Sequence, residues 1–594
     1  MVRRMSDFDD RSSLDQAKAL LAAGDVARAR AILDLLAQRY PDDAETAVMY
    51  ASALMRAGDL AAALPFIQRV RALVPTYPAI HLNEGLCLLA AGQLDEAVAA
   101  FRAAVAAKPG DGRAAYHAIR TLSASGALDE AIALHRAASA DLTNPEYLPS
   151  LAGALLPDVA HSLAHMQQAR DAYEAAIANL GVPRTTLSEQ RLLSAPGSFF
   201  AAYQGVSNRV QNGQIAAYYA ALCPDLVQSL SSGPSHAPRL RVGFVSAHLK
   251  NHTIGKLTRG LIAELDRTRF EVCVFRVKAA DDEIARFIDA RADHVDVLPA
   301  SLAEARAMLA AARLDIVLYT DIGMEPFTSF LSFARLAPVQ CVTWGHPVTT
   351  GHPNIDYFIS SDALENADGA RAQSFYSETL VRLAVPPTYL YPARHSPIDA
   401  EFAFPEGATL YVCPQQPAKF HPSFDAALIE ILRRDANGIL VLIDMFALLT
   451  PILLRRLRAA APDIASRIHV VPRLDQARFY ELLKAAHVVL DTTHFSGGVS
   501  SAEAFEFGKA VVTLPHADLM AGRVTAAYYR QMGFERCIAR DFEDYIAIAV
   551  RLGSDPAYRA ETEAAIVAAR SRLFLNAESV RALEAFFVDA AARV

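Results

Sequence analysis

A 34-residue spacing, repeated through the first quarter of the chain, constrains the fold more than any other feature. Three sets of residues keep this spacing: Gly24, Gly58, Gly92 and Gly126; Ala29, Ala63, Ala97 and Ala131; and Pro41, Pro75 and Pro109. Small alanines let paired helices approach closely, and proline ends a helix because it cannot continue one. The pattern therefore predicts stacked helix pairs, near residues 10–43, 44–77, 78–111 and 112–145.

A period of 34 residues with these offsets is typical of tetratricopeptide repeats, so residues 10–145 are predicted to form about four of them. Such arrays present a concave surface. We expect this surface to hold a protein or peptide. A dimerisation arm, giving a homodimer, or a purely structural spacer remains the alternative.

Residues 146–238 are predicted to form a mostly helical connector, with helical periodicity over 158–180. The connector ends in a stretch rich in Ser, Gly and Pro, 231–238, which is typical of a linker.

The apolar content of the chain raises the question of a membrane span or a secretory signal. Hydrophobic residues make up 53% of the chain, but its most apolar run, 439–454, contains Asp444 and Pro451. It is too short to span a bilayer and is predicted to form a buried strand, a turn and a helix. The start of the chain lacks an apolar stretch typical of a secretory signal, so none is expected.

Net charge and cysteine spacing exclude two further classes of partner, nucleic acid and zinc. The chain has 57 basic and 65 acidic residues, the reverse of the usual balance in a nucleic-acid-binding protein. The six cysteines are scattered singly, which favours reduced thiols in a cytoplasmic protein and disfavours a zinc site. We therefore expect no metal and no nucleic-acid partner.

From residue 239 onward, short apolar runs alternate with helical stretches. Ten runs are predicted strands: 240–246, 270–277, 315–319, 339–343 and 355–360 in a first set, then 409–413, 439–443, 468–471, 488–491 and 511–514 in a second. Continuous apolar runs are typical of parallel strands buried on both faces. The pattern predicts an α/β region of two doubly wound, Rossmann-like lobes, 239–390 and 400–575, followed by a C-terminal helix within 576–594 that could pack on either lobe.

Ligands of such sheets bind at the carboxyl ends of the strands. His252 follows the first strand and is a candidate general base. Asp491 ends a later strand, and a loop with Gly497 and Gly498 then leads into a helix. The free N–H groups of a helix N-terminus attract an anion such as a nucleotide diphosphate. Ser500 and Glu503 also fit a capping box, which would make Glu503 a cap only.

Several of these segments together resemble the O-GlcNAc transferase-like family, glycosyltransferase family 41. The resemblance runs from about residue 199 to the C-terminus. The motifs that carry it, in the order of the family, are Phe-Ala-Ala-Tyr-Gln-Gly at 200–205, the strand 240–246, Asn251-His252, the loop 345–351 with Ile-Asp-Tyr at 355–357, Tyr-Ser-Glu at 376–378, Gln-Pro-Ala-Lys at 416–419, Leu-Asp-Thr at 490–492 and Gly-Arg-Val at 522–524.

The resemblance implies a GT-B region that transfers a sugar from a nucleotide-sugar donor to a protein side chain with inversion and without metal. His252 matches the family histidine near the reacting centre, and Lys419 matches the lysine that neutralises the departing diphosphate. Gln416 matches a nucleotide-contacting glutamine, and Arg523 lies in a segment beside the nucleotide site. His346, Thr349 and Thr350, with Gly351, lie in a loop that faces the sugar or the acceptor.

The chain also departs from the family pattern. Animal O-GlcNAc transferases have His-Thr-Thr where this chain has Gly498-Val499-Ser500, and an aspartate expected on the ribose where it has Glu503. The phosphate site is therefore expected to rely on backbone N–H groups of the loop, with Gly497, Ser500 and Ser501 among the candidate nucleotide-sugar-binding residues.

These departures leave the donor open between a UDP-hexose and a CMP-activated nonulosonic acid, with no other cofactor. The layout is most similar to bacterial flagellin glycosyltransferases, so flagellin is the expected protein acceptor, with Ser/Thr favoured over Asn. Two alternatives remain: transfer to a glycan or small molecule, and a catalytically dead tetratricopeptide adaptor.

Overall fold

The computed structural model describes residues 8–77, 79–231, 233–235 and 237–594. Two residues of the predicted linker, Ser232 and His236, lie outside this range. The chain divides into two compact units, one running to Leu155 and including Phe446–Pro451, the other made of Leu156–Met445 and Ile452–Val594.

The first unit contains the repeats, and the predicted helix pairs are confirmed. Its helices are α1 Phe8–Ala22, α2 Val26–Arg39, α3 Ala44–Arg56, α4 Leu60–Leu73, α5 Ile80–Ala90, α6 Leu94–Ala107, α7 Gly112–Ser125, α8 Leu128–Ala140 and the short α9 Leu148–Gly153.

The 34-residue spacing has a direct physical cause in each repeat. The four periodic glycines, Gly24, Gly58, Gly92 and Gly126, all adopt positive φ, between 75° and 92°, in the turn between paired helices. Only glycine takes this conformation without steric cost. The four periodic alanines are completely buried where the helices meet. A larger side chain at the alanines would separate the helix pair. At Gly24, Gly58 and Gly92 an added Cβ would come no closer than 3.9 Å to any neighbouring atom, so the cost there is backbone strain alone.

Three helices lead from the repeats to the first strand: α10 Leu163–Ala178, α11 Glu189–Leu192 and α12 Arg209–Leu222. The helix predicted over 158–180 begins later, because Ser162 caps it by accepting a hydrogen bond from the His165 N–H. A 3-10 segment, Phe199–Gln204, lies between α11 and α12.

The first sheet of the second unit has seven parallel strands in the order β3-β2-β1-β4-β5-β6-β7. They are β1 Leu240–Ser246, β2 Phe270–Arg276, β3 His294–Val297, β4 Ile316–Tyr319, β5 Val339–Thr343, β6 Tyr357–Ser361 and β7 Thr379–Leu383. Its helices are α13 Thr253–Glu264, α14 Glu283–Asp289, α15 Leu302–Ala311, α16 Pro326–Leu331 and α17 Gly369–Gln373.

The five predicted strands of the first set are present, whereas β3 and β7 were not predicted. Both are edge strands, and most of their residues are exposed or only partly buried. A strand that is not buried on both faces lacks the continuous apolar run on which the prediction depends.

The second sheet has five parallel strands in the order β10-β9-β8-β11-β12, all of them predicted. They are β8 Thr409–Cys413, β9 Gly438–Asp444, β10 Ile468–Pro472, β11 Val488–Leu490 and β12 Val511–Val512. The helices are α18 Asp425–Arg434, α19 Leu449–Ala460, α20 Gln476–Ala485, α21 Val499–Glu506, α22 Val524–Met532, α23 Phe542–Ser554 and α24 Pro556–Ala569. The predicted α/β region with two sheets is therefore confirmed.

The C-terminal helix, α25 Ala577–Ala591, packs on the first sheet. The Phe587 and Phe270 rings lie 6.3 Å apart, and Val580 and Leu583 belong to the same buried cluster as the strands. The chain therefore returns to the first lobe after completing the second. No helix in the described part of the chain is both long enough and apolar enough to span a membrane.

Candidate active site

A cavity of about 380 Å³ opens at the carboxyl ends of the second sheet's strands and is closed on one side by the start of α13 from the first lobe. The residues that line it come from both lobes: Thr253, Lys256, Pro414, Gln415, Gln416, Lys419, Ile443, Met445, Arg473, Leu474, Phe479, Gly498, Val499, Ser500 and Glu503. Five of the predicted site residues are among them, at the strand ends where ligands of such sheets bind.

Lys419 lies in a short turn after β8, and its ammonium is held on three sides. It donates to Gln415 Oε1 at 2.8 Å and to the Ser496 carbonyl at 3.1 Å, and it lies 4.8 Å from the centre of the Phe495 ring. Burial lowers the pKa of this ammonium to about 8, although the Asp491 carboxylate opposes the shift. An incoming anion would meet a fixed but incompletely neutralised cation here.

Asp491 lies behind the glycine loop, on the side away from the cavity lining, and holds the loop by hydrogen bonds. It is almost completely buried and accepts hydrogen bonds from the Gly497 N–H at 2.6 Å and the Thr513 hydroxyl at 2.8 Å. Burial raises the pKa of its carboxyl to about 6. A side chain at Gly497 would place Cβ 2.3 Å from Ser501 Oγ and 2.7 Å from Gln415 Nε2, so it would displace the side chains that line this part of the cavity.

The loop ends at the N-terminus of α21, which no side chain caps. The predicted capping box is wrong, because the helix begins at Val499 with Gly498 as its N-cap, two residues earlier than that pattern requires. Ser500 Oγ instead accepts a hydrogen bond from Gln415 Nε2 at 3.0 Å. The buried Ser501 hydroxyl is 2.8 Å from that of Thr525. The first N–H groups of α21 are left to face the cavity.

Glu503, one turn into α21, contacts side chains from both lobes. Its Oε1 accepts from Lys256 Nζ at 2.8 Å, from the Tyr480 hydroxyl at 3.2 Å and from Gln476 Nε2 at 3.3 Å. Sequence reasoning missed Lys256. Its position one helical turn after His252 places both side chains on the same face of α13, a signal that could have identified it.

Gln416 joins the cavity to the connector. Its Nε2 donates to the Tyr203 hydroxyl at 2.6 Å, and the Tyr203 ring lies 4.5 Å from the Phe495 ring. Tyr203 belongs to the Phe199–Gln204 segment. The motif at 200–205 therefore supports the residues that line the cavity.

His252 is the N-cap of α13, adjacent to the cavity-lining Thr253. Its Nδ1 accepts a hydrogen bond from the Ile254 N–H at 3.2 Å, and its ring stacks on His248 at 4.3 Å. Burial, followed by the neighbouring His248 and Lys250, lowers the pKa of His252 to about 4. The ring is therefore neutral at pH 7.

The predicted acceptor-side residues lie outside this cavity. His346 is buried and stacks on the Phe199 ring at 5.2 Å. Burial lowers its pKa to about 4. Thr349 Oγ1 donates to Glu378 Oε2 at 2.6 Å, and the Thr350 N–H donates to Glu378 Oε1 at 2.7 Å. These bonds hold the loop 346–351 in place.

Arg523 also lies away from the cavity lining. It is the half-buried N-cap residue of α22. Burial lowers the pKa of its guanidinium, and the charges of Glu365 and Asp518 oppose that shift. Among the described residues, no group of three or more His, Cys, Asp or Glu side chains is arranged to hold a metal ion.

Tetratricopeptide pairs followed by two parallel sheets, with a lysine and a glycine loop at the strand ends, define the architecture of O-GlcNAc transferase-like proteins. The chain belongs to glycosyl transferase family 41, whose model matches residues 185–396 and 396–581. A tetratricopeptide repeat model matches residues 20–85, 54–100 and 88–154.

Individual proteins agree with this assignment. The chain is 25% identical over 368 residues to a probable UDP-N-acetylglucosamine–peptide N-acetylglucosaminyltransferase SEC of Arabidopsis thaliana, a match that covers 57% of this chain and 37% of that protein. It is 43% identical over 63 residues to a UDP-glucose:protein N-beta-glucosyltransferase of Actinobacillus pleuropneumoniae, which covers 11% and 9% of the two chains. The chain thus spans about a third of the length of the first of these curated relatives.

A solved structure resembles the whole chain. A mutant of the Thermobaculum terrenum O-GlcNAc transferase superposes with a TM-score of 0.61 at 22% identity, covering 99% of this chain and 100% of that one. At this identity the likeness establishes the fold alone.

Proposed function

We propose that the chain is a cytoplasmic protein glycosyltransferase that moves a sugar from a nucleotide-sugar donor to a side chain of a protein, with inversion and without a metal ion. The observation that carries the proposal is the meeting of Lys419 with the uncapped N-terminus of α21 in one cavity. Family membership supplies the reaction class.

The donor's phosphate is the group that this cavity suits. As the bond from the anomeric carbon to the phosphate oxygen breaks, negative charge develops on the departing nucleotide. Lys419 Nζ and the free N–H groups of α21 are cationic or partly positive groups placed before the reaction begins. Fixed groups of this kind stabilise a developing charge at little reorganisation cost. Gln416 and Glu503 are then suited to the base and the ribose.

The charge of the cavity is compatible with both donor classes, a UDP-hexose and a CMP-activated nonulosonic acid. Besides Lys419, two cationic side chains line it, Lys256 and Arg473. A UDP-hexose presents two phosphates, whereas a CMP-activated nonulosonic acid presents one phosphate and a carboxylate. Lys256 is paired with Glu503. Either donor brings two anionic groups to the same set of cations, so the charge alone does not select between them.

The repeats supply a surface for a protein acceptor. A groove of about 560 Å³ in the first unit is lined by apolar residues such as Val48, Met55 and Leu86, with Arg113 and His117 at one end. A groove that combines apolar residues with arginines, here Arg56 and Arg113, suits an extended peptide with acidic and apolar side chains. This surface favours a protein acceptor, with flagellin and a Ser/Thr side chain as the specific proposal, over a small molecule or glycan.

The hydrogen-bond network around the cavity disfavours a catalytically dead tetratricopeptide adaptor. Lys419, Gln415 and Ser500 form a connected set of hydrogen bonds around the cavity. Maintaining a partly desolvated lysine there is costly for a protein that binds no anion.

Intact-mass spectrometry of flagellin tests the proposal. Flagellin is purified from cells that express this chain, from cells lacking it and from cells carrying Lys419→Ala. We expect one or more sugar increments only with the unsubstituted chain, and the increment distinguishes a hexose, an N-acetylhexosamine and a nonulosonic acid. Identical masses in all three would overturn the flagellin assignment.

A further inference from the structure

A short aromatic segment of the connector contacts both lobes. This segment, Phe199–Gln204, is a 3-10 turn in which Tyr203 is buried. The Phe199 ring stacks on His346 of the first lobe at 5.2 Å and meets the Tyr203 ring edge-on at 5.6 Å. The Tyr203 ring then lies 4.5 Å from the Phe495 ring of the second lobe. A continuous set of ring contacts therefore runs from the predicted acceptor-side loop to the glycine loop of the donor cavity.

Tyr203 makes two separate contacts with the surroundings of Lys419. Its hydroxyl accepts a hydrogen bond from Gln416 Nε2 at 2.6 Å, and its ring packs against the Phe495 ring. Gln416 is the N-cap residue of the short turn Pro417–Lys419. Tyr203 therefore contacts both the start of the turn that carries Lys419 and the ring beside the lysine ammonium.

Every contact that fixes the Lys419 ammonium comes from a residue that Tyr203 touches or from that residue's neighbour in the chain. Lys419 Nζ lies 4.8 Å from the centre of the Phe495 ring and donates to the carbonyl of the next residue, Ser496, at 3.1 Å. It also donates at 2.8 Å to Oε1 of Gln415, the residue before Gln416. A displacement of Phe495 or Gln416 would therefore move the groups that hold the ammonium.

The end of the segment is also fixed against the glycine loop. Gly205 adopts φ of +68°, and a Cβ added there would lie 2.4 Å from Cδ2 of His494, the residue before Phe495. Tyr203 itself does not line the cavity, and burial raises the pKa of its hydroxyl, which therefore stays protonated at pH 7. These observations favour a role for Tyr203 in holding its neighbours and disfavour a role as an acid or a base.

We propose that Tyr203 is a positioning residue for Lys419, which it holds where negative charge develops on the departing nucleotide, and that Phe199 ties this position to the acceptor-side loop. This inference rests on the proposed function. Tyr203 contacts no reacting group, so its effect on transfer passes through Lys419. A misplacement of about 1 Å at a catalytic group can cost ~100-fold in rate. Loss of the Tyr203 ring is therefore expected to lower kcat.

Two substitutions separate the hydroxyl of Tyr203 from its ring. Transfer is measured with the purified full chain, flagellin and a UDP-hexose or CMP-nonulosonic acid donor. Tyr203→Phe removes only the hydrogen bond to Gln416, so the donor KM should rise about twofold or more while kcat stays within about threefold of the parent. Tyr203→Leu also removes the ring contact, and kcat should fall at least about tenfold.

A third variant controls for the loss of a buried ring. Tyr173→Leu removes another buried tyrosine of the connector, outside the cavity lining, and should leave kcat within about threefold of the parent. An equal loss of kcat in Tyr173→Leu and Tyr203→Leu, or a Tyr203→Leu kcat within about threefold of the parent, overturns the proposal. Because Tyr203→Phe keeps the packing, an unchanged donor KM in that variant overturns it even where Tyr203→Leu does not fold.

A double-mutant cycle distinguishes positioning from a purely structural role. If Tyr203 acts through Lys419, Tyr203→Leu should lower the single-turnover rate by less than about threefold in a Lys419→Ala background, against at least about tenfold in the parent. Equal fold losses in the two backgrounds would show that the two residues act independently and would overturn the proposal.

Nucleotide affinity gives the same cycle a readout that needs no acceptor. Calorimetry with UDP and with CMP measures binding to the parent, to both single variants and to the double variant, and we expect Tyr203→Leu to weaken binding only where Lys419 is present. Equal weakening in both backgrounds overturns the inference. If the parent binds a nucleotide but transfers no sugar, the proposed function fails, while the affinities still test the positioning of Lys419.

Discussion

The Lys256 ammonium on α13 of the first lobe donates to the Glu503 carboxylate on α21 of the second at 2.8 Å. Lys256 also donates to Gln476 Oε1 at 2.9 Å. This pair closes one wall of the cavity and sets the position of a carboxylate suited to the donor's ribose.

Lys256→Met should therefore weaken donor binding. A hydrogen bond between charged groups that is lost from a partly buried site costs ~1.5–3 kcal/mol, so we expect KM for the donor to rise about tenfold or more, with a smaller change in kcat. Steady-state kinetics measure both. Lys278→Met removes an exposed lysine from the same lobe and is the matched control. A KM unchanged by Lys256→Met would show that the pair does not order the donor site.

Removing the Lys419 ammonium should abolish transfer with little effect on acceptor binding. Loss of one preorganised group that stabilises a developing oxyanion costs ~10²–10³ in kcat. We expect Lys419→Ala to fall by at least that factor, measured in single-turnover assays, while the affinity for the protein acceptor stays within about twofold. Near-normal transfer by this variant would remove Lys419 from the catalytic site.

The pH dependence follows from the same residue. Burial lowers the pKa of Lys419 to about 8, so the charged form needed for leaving-group stabilisation is present below that pH and is lost above it. We expect kcat/KM to decline on the alkaline side with an apparent pKa near 8. Lys419→Arg should remove this decline, because a guanidinium remains protonated there. An unchanged alkaline limb in the arginine variant would assign the decline to another group.

A side chain at Gly497 should disturb the donor site. A Cβ there would lie 2.3 Å from Ser501 Oγ and 2.7 Å from Gln415 Nε2, and overpacking of this kind costs ~1–3 kcal/mol. We expect Gly497→Ala to displace Gln415 and to weaken donor binding at least about fivefold by calorimetry. Gly213→Ala, where no atom lies within 4 Å of the added Cβ, should bind the donor normally.

The repeat groove gives a variant that separates protein from small acceptors. Reversing the charge of Arg113, which lines the groove, should reduce transfer to the protein acceptor about tenfold or more. Hydrolysis of the donor should not change, since the cavity is intact. Arg11→Glu, an exposed position outside the groove lining, is the control. Equal loss of hydrolysis and transfer would argue against a role of the groove in acceptor capture.

Much of the fold is encoded in local patterns that one sequence displays. The glycines and alanines of the repeats mark the turn and the helix contact directly, and the strands buried on both faces have continuous apolar runs. The edge strands β3 and β7 were not predicted because they are partly exposed to solvent, so their sequences need not be continuously apolar. The side on which α25 packs depends on contacts with Phe270 and its neighbours, far away in sequence.

The candidate site was predictable only in part, because several of its contacts join residues that are far apart in sequence. Lys419 and Gln416 lie in a short motif and line the cavity as a pair. Ser500 and Glu503 fit a capping pattern, but the true start of α21 depends on Asp491 holding the Gly497 N–H. The roles of Asp491 and Lys256 arise from partners that are distant along the chain, which residue spacing alone does not reveal.

Transfer of a labelled sugar to protein is the most direct measurement of the central claim. Purified chain is incubated with a panel of donors labelled in the sugar and with an extract of cells lacking the chain, and the products are separated by size. We expect label in a protein, in a Lys419-dependent manner, with one donor of the panel. Label confined to small molecules or free glycans, or incorporation that persists in Lys419→Ala, would contradict the account.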